Sequence, residues 1–446
     1  MQIKQDLPAA HISEYSKAIE LIKKGIWAYF LLLIFEGALR KWILPGLSTP
    51  LLLIREPITI YIIYKAVSYR VIKGSLLLNI FVFTGIISIF TAIFLGHQNM
   101  IVALFGARIF LLHIPLIYVF KEVITNDDIV KIGKATLWIS IIMCVVIFLQ
   151  FYSPQDAWIN RGVGGDESGA GFSGAMGYMR PPGLFSFTNG VTAFYSFASP
   201  FIFFFLSNGN IKVNKILLIA ATISLLVAIP LSISRTLLFN VILTLLFTIF
   251  LTARNPKFLS KIIGGIILLV LIYFIASQQH SVQVATEVFT ARFDSANKSE
   301  GGLVEGVLVD RFLGGMYNSL FSSTDVPFWG YGIGMGSNVG AILLSGSRSF
   351  LLPEGEWGRL IGEIGVLLGL LIVLIRIGLG IFLFTKSFTL VRYKNTFPWT
   401  FISTGLIYVM QGQWGQPTNL GFFVVFTGIL MAATSDKNRY FIIEQD

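Results

Sequence analysis

Apolar residues in this chain come in nearly unbroken runs, such as "GGIILLVLIYFIA" (264–276) and "GVLLGLLIVLIRIGLGIFLF" (365–384). Many of these runs approach the ~20 residues that an α-helix needs to cross a hydrocarbon core. No water is present there to bond peptide groups, so each run must satisfy its N–H and C=O groups within its own helix. The chain therefore reads as an all-α polytopic membrane protein. Its charge content agrees: 13% of its residues are charged, against about 25% in soluble domains. About 12 transmembrane helices are predicted, at 25–43, 47–65, 75–95, 100–120, 133–152, 186–207, 213–232, 235–253, 258–276, 357–385, 397–411 and 418–435.

These spans divide the chain into helices 1–5 (25–152), helices 6–9 (186–276) and helices 10–12 (357–435). A polar segment, 1–24, precedes them and a short tail, 436–446, follows. Two long loops interrupt them, a glycine-rich one at 153–185 and a larger one at 277–356. The larger loop is expected to be partly helical, near 301–322, and it carries the run "FWGYGIGMGS". With the N-terminus inside, the short cytoplasmic segments hold 20 of the 33 basic residues, whereas the short outer loops at 96–99 and 411–417 hold none. The positive-inside rule then puts both termini in the cytoplasm and both long loops outside. Ile12, Tyr15, Ile19 and Ile22, spaced 3, 4 and 3 apart among lysines, suggest an amphipathic helix on the inner surface. Residues 1–24 contain no apolar signal-peptide core, so the first apolar helix is expected to direct insertion.

Several function classes drop away. The net charge of +10 is explained by topogenic lysines and arginines, so no nucleic-acid partner is expected. A single cysteine, Cys144, rules out a disulfide framework or a cysteine metal site. No outward DxD motif and no His/Glu cluster offers a divalent-metal site, so no metal or other cofactor is expected. The absence of a convincing internal repeat weighs against an inverted-repeat transporter.

The basic residues outside the cytoplasmic loops number thirteen, and eleven are arginine. Lysine serves well as a snorkelling topogenic charge, whereas the arginine fork clamps phosphate or carboxylate bidentately. The outer half thus looks built to hold an anion. Arg180 opens "RPPGLF", Arg235 lies in "SISRTLL" at a tight outer turn, and Arg311 lies in "VDRF". Each also suits pairing with a nearby acid or capping a helix carbonyl. In "LLPEGEWGRLIGEIGVLLGL" (351–370), Glu356, Arg359 and Glu363 fall on one helix face, beside a stripe formed by Gly358, Gly362, Gly365 and Gly369. That charged face either serves a substrate or forms a self-satisfied Glu–Arg–Glu ladder, and Glu354 and Glu356 stand at the helix entrance, where an acid also suits the dipole.

The ordered set "RPPGLF", "SISRTLL", "FWGYGIGMGS" and "EGEWGRLIGEIGVLLG", over about residues 150–375, resembles the O-antigen polymerase and O-antigen ligase superfamily. The resemblance implies a membrane glycosyltransferase at the outer face of the bacterial inner (cytoplasmic) membrane. Its substrate would be an undecaprenyl-diphosphate-linked oligosaccharide. The family's Arg before Pro and Gly falls on Arg180, its Ser-Arg on Arg235, and its Glu-x-Gly-x-x-x-Gly on Glu363, Gly365 and Gly369. Many members carry a histidine nine residues before that glutamate; here Glu354 stands in its place, which leaves Glu354 and Glu356 as candidate bases.

In the implied inverting, metal-independent transfer, Arg180, Arg235, Arg311 and Arg359 would stabilise the leaving diphosphate. A glutamate would deprotonate the acceptor, with Trp329 and Tyr331 stacking on sugars and Glu363 in support. Partners would be the lipid-linked oligosaccharide, the bilayer, and a chain-length regulator and flippase of the same pathway. Polymerisation of repeat units into O-antigen, capsule or exopolysaccharide is the first reading, ligation to lipid A core the second, and anion (bicarbonate-like) transport the third.

Overall fold

The computed structural model describes residues 9–209, 211–252, 274, 277–300, 326–347, 351–352 and 355–441. The described residues are mostly helical, 75% helix against 2% strand. The helices are α1 (Ala9–Ala38), α2 (Ser48–Leu51), α3 (Arg55–Ser68), α4 (Leu76–Phe94), α5 (Met100–Arg108), α6 (Ile114–Val123), α7 (Asn126–Tyr152), α8 (Asn189–Ser207), α9 (Lys215–Leu231) and α10 (Arg235–Thr252). They continue with α11 (His280–Glu300), α12 (Asn338–Ser345), α13 (Glu356–Leu390), α14 (Phe397–Gln411) and α15 (Pro417–Ala433).

Among the described residues, six stretches are long and apolar enough to cross a membrane: Pro45–Ser68, Leu76–Phe94, Met100–Val123, Asn126–Tyr152, Asn189–Ser207 and Glu356–Tyr393. Lys215–Leu231, Arg235–Leu251 and Pro417–Ala433 are apolar but shorter. An all-α membrane protein fits this pattern. The expected span at 258–276 and the helix expected near 301–322 fall almost wholly outside the described residues.

The N-terminal segment differs from its expected form. α1 runs unbroken from Ala9 to Ala38, through the boundary placed at residue 24. Ala18, Ile22 and Ile26 are at most 2% exposed, so this stripe packs against protein. Of the residues that suggested a surface-lying helix, Ile22 packs inward while Tyr15 is 43% exposed.

The bundle closes around α8 and α15. Phe197 and Phe201 of α8 meet Phe401 of α14, and Phe197 also meets Phe426 of α15, edge to face at 5.1–5.5 Å. A polar seam runs through the same region: Thr192 donates to Ser234, Asn240 to Ser196, and Thr244 shares bonds with Ser199 and Ser403. Such interhelical bonds hold helices together where lipid supplies no hydrophobic drive.

Both long loop regions contain structure that positions side chains. Within 153–185, β1 (Phe172–Ala175) and β2 (Tyr178–Arg180) form an antiparallel hairpin with Phe172 opposite Arg180. In the larger loop, residues 326–337 thread back into the bundle between the α4–α5 turn and α13. His97 N–H donates to the Tyr331 carbonyl at 3.1 Å, Tyr331 N–H to Gly362 O at 2.7 Å, and Gly332 N–H to Glu363 O at 3.0 Å. Those two α13 carbonyls are free because the helix breaks at Gly365, whose φ of 81° and ψ of 169° only glycine adopts readily. A side chain there would also run into the Phe328 carbonyl.

Candidate functional site

Two groups of charged residues lie where the sequence points. The first is on the two long loops. Arg180 ends the hairpin, and Arg292 lies on α11, which packs on β1 and α9. The two guanidiniums repel each other: burial first, and Arg292 second, pushes the Arg180 pKa below its usual value. Neither has a carboxylate partner among the described residues, and Arg180 Nε is buried without a hydrogen-bond partner. Gly174 of the hairpin lies against both Arg180 and Ile233, so the hairpin covers the α9–α10 turn from which Arg235 starts α10. That turn is tight: Ile233 takes a φ of 49°. Arg180 and Arg235 are thus brought to one region, as their motifs suggested, and Arg292 joins them. Arg292 is one of the eleven arginines outside the cytoplasmic loops, and its sequence setting gave it no role. Arg311 and Glu354 lie outside the described residues.

The second group is on α13. Glu356, Arg359 and Glu363 do share one face, and they are 4%, 4% and 1% exposed. Arg359 donates to Glu356 through Nε (3.0 Å) and Nη2 (2.9 Å), and to Glu363 through Nη1 (2.5 Å). Arg376, five turns further along, donates Nη1 to Glu356 Oε1 at 2.9 Å. Its other nitrogens reach the carbonyls of Val409 (3.0 Å) and Gly412 (2.8 Å), and its guanidinium stacks 4.2 Å from the Trp414 ring. The backbone N–H of Trp414 donates to Glu356 Oε2 at 2.9 Å, and that of Gly336 to Glu363 Oε1 at 2.8 Å.

This network is neutral and closed. Of the two arrangements left open for "EGEWGRLIGE", the self-satisfied ladder is the one present. Arg359, expected among the phosphate ligands, is committed to two carboxylates. Glu356, a candidate base, receives four donors and has no lone pair left facing open space. Glu363 ties the re-entrant segment to α13. The helical spacing made the ladder legible; Arg376 and Trp414 were not, since they arrive from twenty and fifty-eight residues away.

Of the aromatics, Trp329 is 41% exposed and packs edge to face on Phe328. Tyr331 is half-buried, its backbone spent on the α13 break. No group of three or more metal-ligating side chains occurs among the described residues.

No family model, no curated protein and no solved structure matches this chain.

Proposed function

We propose that this chain is a membrane glycosyltransferase that polymerises undecaprenyl-diphosphate-linked oligosaccharide units by metal-independent, inverting transfer at the outer face of the membrane. The observation that carries the reading is the pair Arg180–Arg292: two arginines from separate loops, within electrostatic reach of each other and with no carboxylate partner among the described residues, beside the turn that bears Arg235. Two like charges are held together at a cost that an anionic ligand removes. A diphosphate gains charge as its bond to the sugar breaks, so arginines fixed before reaction favour the transition state over the ground state.

In this mechanism an acceptor hydroxyl attacks the anomeric carbon, the diphosphate departs onto Arg180, Arg235 and Arg292, and a carboxylate takes the hydroxyl proton. Glu354 is the better acceptor of that proton, because Glu356 is engaged by two arginines and a backbone N–H. Arg311 contributes from the same outer loop. Arg359 acts at one remove, by holding the α13 entrance.

The test is transfer by purified protein supplied with an undecaprenyl-diphosphate-linked repeat unit. A ladder of products supports polymerisation; a single capped product on a lipid A core acceptor favours ligation. Arg180→Ala and Arg292→Ala should each lower turnover by at least about a hundredfold, the usual scale for loss of one oxyanion donor. Near-normal turnover in both variants refutes the clamp.

A further inference from the structure

A second polar cluster lies in the N-terminal helices, and the proposed transfer uses none of it. Glu36 and Arg40 come from the end of α1 and the π-helical turn after it, Leu39–Ile43. Arg55 and Glu56 open α3, and Arg108 and His113 flank a second π-helical turn, Ile109–His113. Arg40 Nη1 and Arg55 Nε each lie 3.3 Å from a Glu36 oxygen; Arg108 Nε and His113 Nε2 each lie 3.5 Å from Glu56 Oε1. Tyr29 and His113 Nδ1 share a hydrogen bond of 3.1 Å.

Three properties set this cluster apart from the closed network on α13. It sets three guanidiniums against two carboxylates, whereas the α13 network sets two against two. Its ion pairs, at 3.3–3.5 Å, are longer than the roughly 2.7–2.9 Å of an aligned charge-assisted bond. Its polar atoms are also unsatisfied: Arg55 Nε and Nη1, Arg108 Nε and Nη1, His113 Nε2 and Glu56 Oε2 are buried without a hydrogen-bond partner. Arg55 is 2% and Arg108 7% exposed. A buried excess cation with idle N–H groups is unfavourable until an acceptor meets it. π-helical turns recur at functional sites, and here two of them set the positions of Arg40, Arg108 and His113.

We propose that this cluster is an anion site that takes one phosphate-class oxyanion on Arg55 and Arg108. Arg108 reaches Glu56, the chain neighbour of Arg55, at 3.5 Å, which brings the two guanidiniums to one cluster. Arg40 and Glu56 keep 12–13% of their side-chain surface open, which leaves an approach. At the edge of the cluster Arg40 donates to Ser186 (3.0 Å) and Arg55 to the Pro417 carbonyl (2.8 Å). The oxyanion matches the excess positive charge and supplies acceptors to the idle forks. Its source is either free phosphate or the phosphodiester of an anionic lipid. The site stands independently of the glycosyl-transfer reading.

Thermal unfolding of the purified full chain tests it in two arms. In lipid-depleted detergent, inorganic phosphate should raise the unfolding midpoint saturably while chloride at matched ionic strength does not, which identifies free phosphate. If instead only bilayer discs of phosphatidylglycerol, and not phosphatidylcholine, raise it, the ligand is a lipid headgroup. In either arm Arg108→Gln should weaken the effect by about tenfold, the scale of one lost hydrogen bond to a charged group. Arg108→Lys, which keeps the charge and loses the fork, should fall between and remains informative if the glutamine variant does not fold. No stabilisation in either arm, or undiminished stabilisation in Arg108→Gln and Arg55→Gln, overturns the proposal.

Discussion

At the scale of single residues, the arginines of this chain fall into distinct electrostatic situations. Arg359 and Arg376 are buried with their charge balanced and most of their donors used. Removing one member of such a network strands the others in a low-dielectric interior, which costs about 3–5 kcal/mol. Arg376→Leu should therefore lower the unfolding midpoint sharply. Arg180 has no ion-pair partner to strand among the described residues, so Arg180→Ala should change stability by no more than about 0.5 kcal/mol. Unfolding in detergent checks both, and a stable Arg376→Leu variant would show that the α13 network is dispensable. Glu356→Gln and Glu354→Gln divide in the same way: the first should lose stability and transfer together, the second transfer alone. Retained transfer in Glu354→Gln would remove it as the base.

At the scale of elements, the break in α13 and the re-entrant segment 326–337 depend on each other. The segment needs the Gly362 and Glu363 carbonyls, and they are free only because Gly365 leaves helical geometry. Gly334, at φ 91°, passes the Val102 carbonyl with no room for a Cβ. Gly365→Ala should cost on the order of 1–3 kcal/mol in backbone strain before any clash is counted. It should also unseat the segment, so proteolytic cleavage near residues 328–335 should rise in Gly365→Ala and in Gly334→Val. Unchanged cleavage in both would mean that the segment is held by its other contacts alone. The glycines of "FWGYGIGMGS" and "EIGVLLG" were visible in the sequence, but the second group read as a small-residue stripe for helix packing. Their true demand is two backbones crossing, which no one-dimensional pattern encodes.

At the scale of the molecule, the distribution of lysine and arginine favours both termini inside and both long loops outside. The single cysteine makes this easy to check. On a Cys144→Ser background, Glu167→Cys should react with a membrane-impermeant maleimide in intact cells. Lys73→Cys should react only after permeabilisation. These side chains are 73% and 82% exposed in the fold, so access is set by the membrane and not by burial. The reverse pattern would invert the orientation and move the arginine group to the cytoplasm.

The sequence alone determined the helical membrane class, because peptide groups in hydrocarbon have no bonding partner other than their own helix. It also put Glu356, Arg359 and Glu363 on one helix face, because helical periodicity is local, while leaving open whether they serve a substrate or one another. What it could not determine was any relation between distant segments. That Arg376 and Trp414 complete the ladder, that Arg292 meets Arg180, and that three N-terminal arginines converge on two glutamates follow from how helices pack. Only the tertiary structure decided which of the chain's arginines are neutralised and which are left wanting an anion, since charge balance is set by neighbours in space.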